Sequence, residues 1–216
     1  LEFGSRSIAF QVVTIGIFSI LHIDVKSLDA VLFTHEHKDH VAGLDDVRPF
    51  NFSQKKPIDI YCTDQVFQAL KREFHYIFDP KFQYPGIPKI NRHRLKKNQN
   101  ITIDGIDIEP IEVMHYKLPV LGFKIDGFAY ITDAKTIEDS QRKKLKNLDI
   151  LVINALRIKE HMSHFNLEEA IDLINELKPK KAILTHISHF MGIHQEVQKK
   201  LPPNIVPAFD GMSFNF

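Results

Sequence analysis

Residues 33–40, FTHEHKDH, place three histidines and one aspartate within six consecutive positions at the end of the apolar run AVLF. Residues 27–34 have the composition of a buried strand. On an extended segment His35 and His37 point the same way, so both imidazoles can bind one metal ion. Asp39 and His40 follow where a turn into a helix would carry them to a second ion. A solvated polar loop is the alternative, but H-x-H-x-D-H at a strand end favours a metal site.

The composition bounds the class of protein. With 216 residues and 44% hydrophobic content, we expect a single domain over residues 1–216. The 28 basic and 27 acidic residues nearly cancel, which argues against nucleic acid or an anionic membrane surface as partner. One cysteine, Cys62, excludes an internal disulfide framework and favours a reducing, cytoplasmic location. The apolar run 8–23 contains Gln11 and His22 and is too short to span a membrane, so we interpret it as core strands.

The rest of the chain alternates strand and helix patterns. Asp-Gly pairs at 104–105 and 126–127 predict two hairpins. Thr63 and Asn166 are expected to begin helices, the second with a capping box. The remaining expectations are a surface loop over 79–100, a charged helix over 136–148, and buried strands over 149–156 and 182–186.

The segment THEHKDH resembles the metal signature of the metallo-β-lactamase superfamily. This resemblance implies an α/β (α+β) chain folded as an αββα four-layer sandwich, with two metal ions where strands end. It also implies three further ligands, each after a strand. The sequence offers His115 in IEVMHY, Asp133 in AYITDAK and His186 in AILTH, in the expected order.

The resemblance assigns these residues to two ions. His35, His37 and His115 bind one, Asp39, His40 and His186 bind the other, and Asp133 bridges both. Imidazole and carboxylate ligands suit zinc or manganese, and also iron, without selecting among them. A water between two such ions loses a proton near neutral pH and becomes a nucleophile. We therefore expect a hydrolase with two divalent ions.

Two longer runs, 34–50 and 161–189, resemble the PhnP-like branch of phosphoribosyl cyclic phosphate phosphodiesterases. The resemblance gives His164 a catalytic role, contacting the phosphate or protonating the leaving oxygen, and makes Asp39 catalytic as well as a ligand. His189 stands where that branch has a histidine of a structural zinc site. The cysteines of that site are missing, so His189 is a remnant or supports the active site indirectly. His161 receives no role.

The N-terminal segment departs from the branch. Residues 1–25 lack its Gly-Thr-rich strand and its Asp-x-Gly turn, although the resemblance holds from about residue 27 onward. We expect residues to be missing within 1–25, in which case some neighbouring Cα atoms would lie well beyond ~3.8 Å.

Three functions follow from these residues. The first is a metal-dependent phosphodiesterase acting on a small cyclic or nucleotide-like phosphodiester, without a membrane partner and with a homodimer as a candidate assembly. The second is a tRNA-processing endonuclease of the RNase Z type, which shares the ligands but needs a basic RNA-binding arm. The third is a protein that binds metal or ligand without turnover.

Overall fold

The strands form three sheets within the described residues, and these sheets divide between two units. The computed structural model describes residues 2–3, 6–7, 26–82 and 84–214. One unit comprises Leu1–Phe10 and Lys97–Phe216 and contains a seven-stranded sheet. The other comprises Gln11–Lys96 and contains a three-stranded sheet. We call them the seven-strand unit and the three-strand unit.

The elements are named in chain order. The strands are β1 (Glu2–Phe3), β2 (Arg6–Ser7), β3 (Ala30–Leu32), β4 (Ile58–Cys62), β5 (Ile90–Arg94), β6 (Ile101–Ile103), β7 (Ile106–His115), β8 (Leu118–Ile125), β9 (Phe128–Ile131), β10 (Ile150–Asn154), β11 (Lys181–Thr185) and β12 (Ile205–Pro207). The α-helices are α1 (Lys38–Val41), α2 (Arg48–Gln54), α3 (Asp64–Glu73), α4 (His75–Phe78), α5 (Asp139–Arg142), α6 (Leu167–Leu177) and α7 (His194–Lys200). Short 3₁₀ helices cover Ala42–Val47, Pro80–Phe82, Lys143–Leu145 and His189–Met191.

The seven-strand sheet has the order β12-β11-β10-β9-β8-β7-β6. Strands β9 to β12 pair in parallel, whereas β6 to β9 pair antiparallel. Both predicted hairpins are confirmed. Asp104 and Gly105 join β6 to β7 with φ angles of 48° and 78°, and Asp126 joins β8 to β9 with φ 48°. Left-handed backbone at such turns matches the right-handed twist of the strands.

Helix α6 covers the buried strands of this unit. The capping box that begins it is present, because the Asn166 side chain accepts from the Glu169 amide and Glu169 accepts from the Asn166 amide. Ala170 and Ile174 lie in one core with Leu151 and Leu184 of the sheet. The charged helix expected over 136–148 is shorter, because it consists of α5 and one 3₁₀ turn.

The three-strand sheet has the order β3-β4-β5, with parallel pairing throughout. Its core contains Ile60 and Leu70, and Thr63 caps α3 as predicted, its side chain accepting from the Val66 amide. Cys62 is fully buried here, and burial raises the pKa of its thiol. It is therefore a packing residue.

The prediction of a loop over the whole of 79–100 is wrong, because β5 lies within it. The charged residues of this edge strand made its sequence resemble a loop. Arg92 and Arg94 both pair with the Asp64 carboxylate, and His93 stacks on Tyr61 with ring centroids 4.6 Å apart. A strand at the edge of a sheet tolerates charged side chains that a central strand would not.

Two expectations concern residues that the structure describes little. Residues 2–3 and 6–7 pair as two antiparallel strands. The core strands expected over 8–23, and the residues expected to be missing within 1–25, otherwise lie outside the described part of the chain. Among the helices that are described, none combines the length and the apolar character needed to cross a lipid bilayer.

Candidate active site

Four candidate residues of the seven-strand unit lie at one edge of its sheet. His115 ends β7, Asp133 comes two residues after β9, and His186 directly follows β11. Strands β7 and β9 are both antiparallel to β8, and β9 to β11 are parallel, so all three strands end at the same edge. Functional side chains of α/β sheets commonly gather at this carboxyl edge.

Asp133 lies at the centre of this group. It is 2% exposed. One of its carboxylate oxygens, Oδ1, lies 3.3 Å from His186 Nε2, and the other, Oδ2, lies 3.6 Å from His164 Nε2. Asp133, His164 and His186 each offer one donor atom within 4.8 Å of the others, which is close enough to hold a metal ion.

Two of these residues have unusual backbone conformations. The φ angle is 57° at Asp133 and 53° at His186, in the left-handed region that costs a residue with a side chain about 1–3 kcal/mol. At Asp133 the surrounding hydrogen bonds maintain the turn. The fully buried Asn154 side chain accepts from the Ala134 amide at 2.8 Å and donates to the Ala134 carbonyl at 2.9 Å. Thr132 also donates to Asp133 Oδ1 at 2.7 Å.

His115 is oriented by the loop that carries His164. Its Nδ1 lies 2.8 Å from the Ser163 carbonyl oxygen. A carbonyl only accepts, so His115 Nδ1 carries the proton and its Nε2 keeps a lone pair. Metal-binding histidines commonly have this arrangement, in which the second nitrogen donates to a backbone or carboxylate oxygen.

His164 lies next to His115 and His186. Its ring centroid is 4.4 Å from that of His115, and its ring stacks on His186 at 5.0 Å. The Nε2 atom of His164 is buried without a hydrogen-bond partner among the described residues. The loop is fixed beyond His164, because Phe165 donates to the Ala134 carbonyl and accepts from the Leu156 amide.

The remaining candidate ligands lie together in the three-strand unit. His35 follows β3 and is 1% exposed. Its ring centroid lies 4.6 Å from that of His37 and 4.2 Å from that of His40. Thr34 Oγ1 lies 3.0 Å from His35 Nδ1, so Nε2 is the inward-facing nitrogen. His40 and Asp39 make an ion-pair contact at 3.2 Å.

The backbone between these ligands makes the predicted turn. His37 is extended, with φ −61° and ψ 148°, and α1 begins at the next residue. Asp39 and His40 therefore lie on the first turn of a helix, while His35 and His37 lie on extended chain. The turn is present, but the His35 ring is nearer to His40 than to His37, so the division of these residues between two ions stays a prediction.

His189 lies apart from the residues above. It is exposed, and its ring lies 3.9 Å from that of Phe190. No group of potential metal ligands found among the described residues includes it. Its role in a structural metal site stays a prediction.

The sequence did not identify the residues whose hydrogen bonds position the candidate side chains and the turn at Asp133. They are Thr34, Thr132, Asn154 and Ser163, together with His161, whose Nδ1 lies 3.2 Å from His164 Nδ1. The sequence assigned His161 no role. Threonine, asparagine and serine at these positions match ordinary caps and strand ends, so no pattern distinguished them.

The chain resembles known proteins in both sequence and structure. Residues 18–187 match the Beta-lactamase superfamily domain. The solved structure of a new diphosphatase from the PhnP family is 34% identical, with a TM-score of 0.81, and the match covers 89% of this chain and 72% of that one. The chain therefore belongs to the β-lactamase superfamily and to its PhnP-like branch. The expected metallo-β-lactamase fold is confirmed.

Two curated relatives are named for different reactions. An octanoyltransferase of Porphyromonas gingivalis is 39% identical over 89% of this chain, but the chain spans only 39% of that protein's length. An exodeoxyribonuclease of Streptococcus pneumoniae, WalJ, is 23% identical over 88% of this chain and 75% of that protein. These names show that similar chains occur in proteins with different reactions.

Proposed function

We propose that this member of the β-lactamase superfamily is a metal-dependent phosphodiesterase that hydrolyses a small cyclic or nucleotide-like phosphodiester. The observation that carries the proposal is the buried group formed by Asp133, His164 and His186. In this group His164, which the resemblance does not count among the metal ligands, lies beside Asp133 and His186, which are proposed as ligands.

The donor set fits divalent metal ions. Neutral imidazole nitrogens and carboxylate oxygens are the ligands that zinc and manganese share. The Ser163 carbonyl leaves the His115 Nε2 lone pair available for an ion. The proposed ligands are His35, His37, Asp39, His40, His115, Asp133 and His186. Two such ions, when bound, would supply Lewis-acid polarisation and a nucleophile at neutral pH.

We propose that His164 protonates the leaving group. The leaving group of a phosphodiester departs as an alkoxide unless its oxygen receives a proton. A positioned acid typically contributes about 10²–10⁴-fold to the rate. The His164 Nε2 atom is the one that lies beside Asp133. Asp39, whose side chain is 48% exposed, is proposed as a second catalytic residue.

The relatives support chemistry at phosphorus. Both a diphosphatase and an exodeoxyribonuclease are named for breaking bonds to phosphorus, and the diphosphatase is 34% identical to this chain. The octanoyltransferase name describes a protein of which this chain spans 39%, so its acyl transfer need not belong to the shared part. We therefore assign hydrolysis of a phosphodiester.

The test restores zinc or manganese to metal-free protein and measures hydrolysis of bis(p-nitrophenyl) phosphate and a ribose cyclic phosphate. We expect metal-dependent turnover of both. His164→Ala should lower kcat about 100-fold on the ribose cyclic phosphate, whose alkoxide leaving oxygen needs a proton, and much less on the nitrophenyl ester. The matched control is His194→Ala, which removes an exposed histidine of α7.

Three other substrates separate the alternatives. Cleavage of precursor tRNA or single-stranded DNA without turnover of the small esters would favour a nuclease. Hydrolysis of p-nitrophenyl octanoate alone would favour acyl chemistry. A metal-loaded protein that turns over none of them would refute the proposed activity and favour a binding protein.

A further inference from the structure

The loop 161–164 contains a short hydrogen-bond network that the proposed reaction does not yet use. His161 Nδ1 lies 3.2 Å from His164 Nδ1. Ser163 Oγ lies 3.2 Å from His161 Nδ1 and 3.1 Å from His164 Nδ1. The backbone amide of Ser163 also donates to His161 Nδ1 at 3.3 Å.

The backbone amide determines which nitrogen of His161 carries the proton. An amide N–H can only donate, so His161 Nδ1 must be the acceptor and hold a lone pair. A neutral His161 therefore carries its proton on Nε2. The donors and acceptors around His161 therefore determine its tautomer.

The same argument determines the proton of His164. Its Nδ1 faces an atom that already holds a lone pair, so the close contact needs a proton on His164 Nδ1. The Ser163 hydroxyl is compatible with this assignment, because it can donate to His161 Nδ1 and accept from His164 Nδ1–H. A neutral His164 therefore has its lone pair on Nε2, the nitrogen beside Asp133.

We propose that His161 is a positioning residue that holds His164 in the tautomer with the proton on Nδ1 and fixes the plane of its ring. The assignment rests on the proposed function of His164 as the group that protonates the leaving oxygen. A proton taken up by Nε2 would then be the one delivered, while Nδ1–H remains bonded to the loop. As a result, the His164 ring would not need to flip before each turnover.

The surroundings of His161 are consistent with an acceptor. Burial, followed by the positive charge that His164 can carry, lowers the pKa of His161. Arg157, His115 and Lys135 act in the same direction. This lowering favours the neutral form of His161, which has the lone pair that the network requires.

The kinetic test compares His161→Phe with His161→Asn. Phenylalanine keeps a ring but removes the acceptor, whereas an asparagine oxygen can occupy nearly the position of Nδ1. The substrates are two methyl phosphodiesters with the same phosphoryl group, one with a p-nitrophenyl and one with an alkyl leaving group. The alkyl ester depends on leaving-group protonation far more than the nitrophenyl ester does.

For His161→Phe we expect kcat on the alkyl ester to fall roughly 10-fold or more, with a change of less than about 3-fold on the nitrophenyl ester and a normal metal content. His161→Asn should recover most of the loss. An equal loss on both esters, or wild-type kinetics in His161→Phe, would overturn the positioning role.

A second measurement does not depend on turnover. Nitrogen-15 NMR of the imidazoles, in the protein as isolated and with its metal content measured, should show His164 protonated at Nδ1. In His161→Phe the proton should shift toward Nε2. A wild-type His164 protonated only at Nε2 refutes the proposal. If NMR gives the expected tautomer but no phosphodiester is turned over, the proposed function fails while the positioning contact stands.

Discussion

In the three-strand unit, four candidate ligands occupy six consecutive positions after one strand, whereas the seven-strand unit collects its candidates from three strand ends and one loop. The two arrangements also differ in strain. Asp133 and His186 have left-handed backbone, while His35 to His40 are built from ordinary extended and helical conformations. A local turn suffices for the first set. The second set depends on sheet topology and on side chains that support strained turns.

The largest expected loss of activity and metal distinguishes the buried carboxylate of Asp133 from the exposed carboxylate of Asp39. Asp133→Asn removes a 2%-exposed carboxylate proposed to serve both ions, and we expect activity to fall about 10³-fold or more with most of the metal lost. Asp39→Asn should retain one ion and lose activity less. Metal analysis and reporter hydrolysis measure both. Equal metal losses for the two variants would contradict the bridging assignment.

The next effect tests whether the strained turn needs its support. Asn154→Ala leaves the Ala134 amide without its partner and removes one of the two donors to the Ala134 carbonyl, which still accepts from Phe165. We therefore expect a loss of about 1–3 kcal/mol in the free energy of unfolding. Metal affinity should fall about 10–100-fold, as for other residues that orient ligands. Chemical denaturation and metal titration give the two quantities.

The matched control for Asn154 lies in the three-strand unit. Asn91 is an exposed asparagine whose side chain donates to Asp59 at 3.1 Å. Asn91→Ala should change the free energy of unfolding by less than about 0.5 kcal/mol and leave metal affinity unchanged. If the control matched Asn154→Ala, the turn at Asp133 would not be the reason for the loss.

The smallest effect concerns pH and the three-strand unit alone. Burial, with the 2.8 Å hydrogen bond from Tyr76 to Asp45, raises the pKa of Tyr76 to about 12. The unfolded chain loses this proton near pH ~10. The folded protein therefore binds more protons between these values, and the free energy of unfolding falls as pH rises through that window.

Tyr76→Phe should make this fall shallower without altering stability trends below pH ~9. Tyr116→Phe, which removes an exposed hydroxyl of the seven-strand unit, should leave the slope as it is. Denaturant unfolding at a series of pH values measures the slopes. Identical profiles for Tyr76→Phe and the wild type would show that this tyrosine does not contribute.

The sequence predicted the elements whose signals are local. Asp-Gly turns, the caps at Thr63 and Asn166 and the H-x-H-x-D-H cluster depend on neighbours in the chain, and each is present. Strand β5 was missed because its pairing with β4 lies in the fold and its charged side chains resemble a loop. The expected charged helix over 136–148 consists of α5 and one 3₁₀ turn instead.

The site follows the same division. His115, Asp133 and His186 could be named because the family resemblance implies a ligand at or just after the end of a strand, where β7, β9 and β11 place them. Asn154 could not, because its importance lies in two hydrogen bonds to Ala134, twenty residues away in the chain. The partnership of His161 with His164 likewise depends on how one loop turns, which the spacing of three residues does not determine.

The contact between His115 and residue 163 has a consequence for how the protein tolerates change. The acceptor is a main-chain carbonyl, which all twenty amino acids provide. A substitution at residue 163 could therefore alter the hydroxyl network with the two histidines and still keep the His115 ring in place. Insertions or deletions in the loop would disturb both. Variation among natural relatives should be frequent in the identity of this residue and rare in the length of its loop.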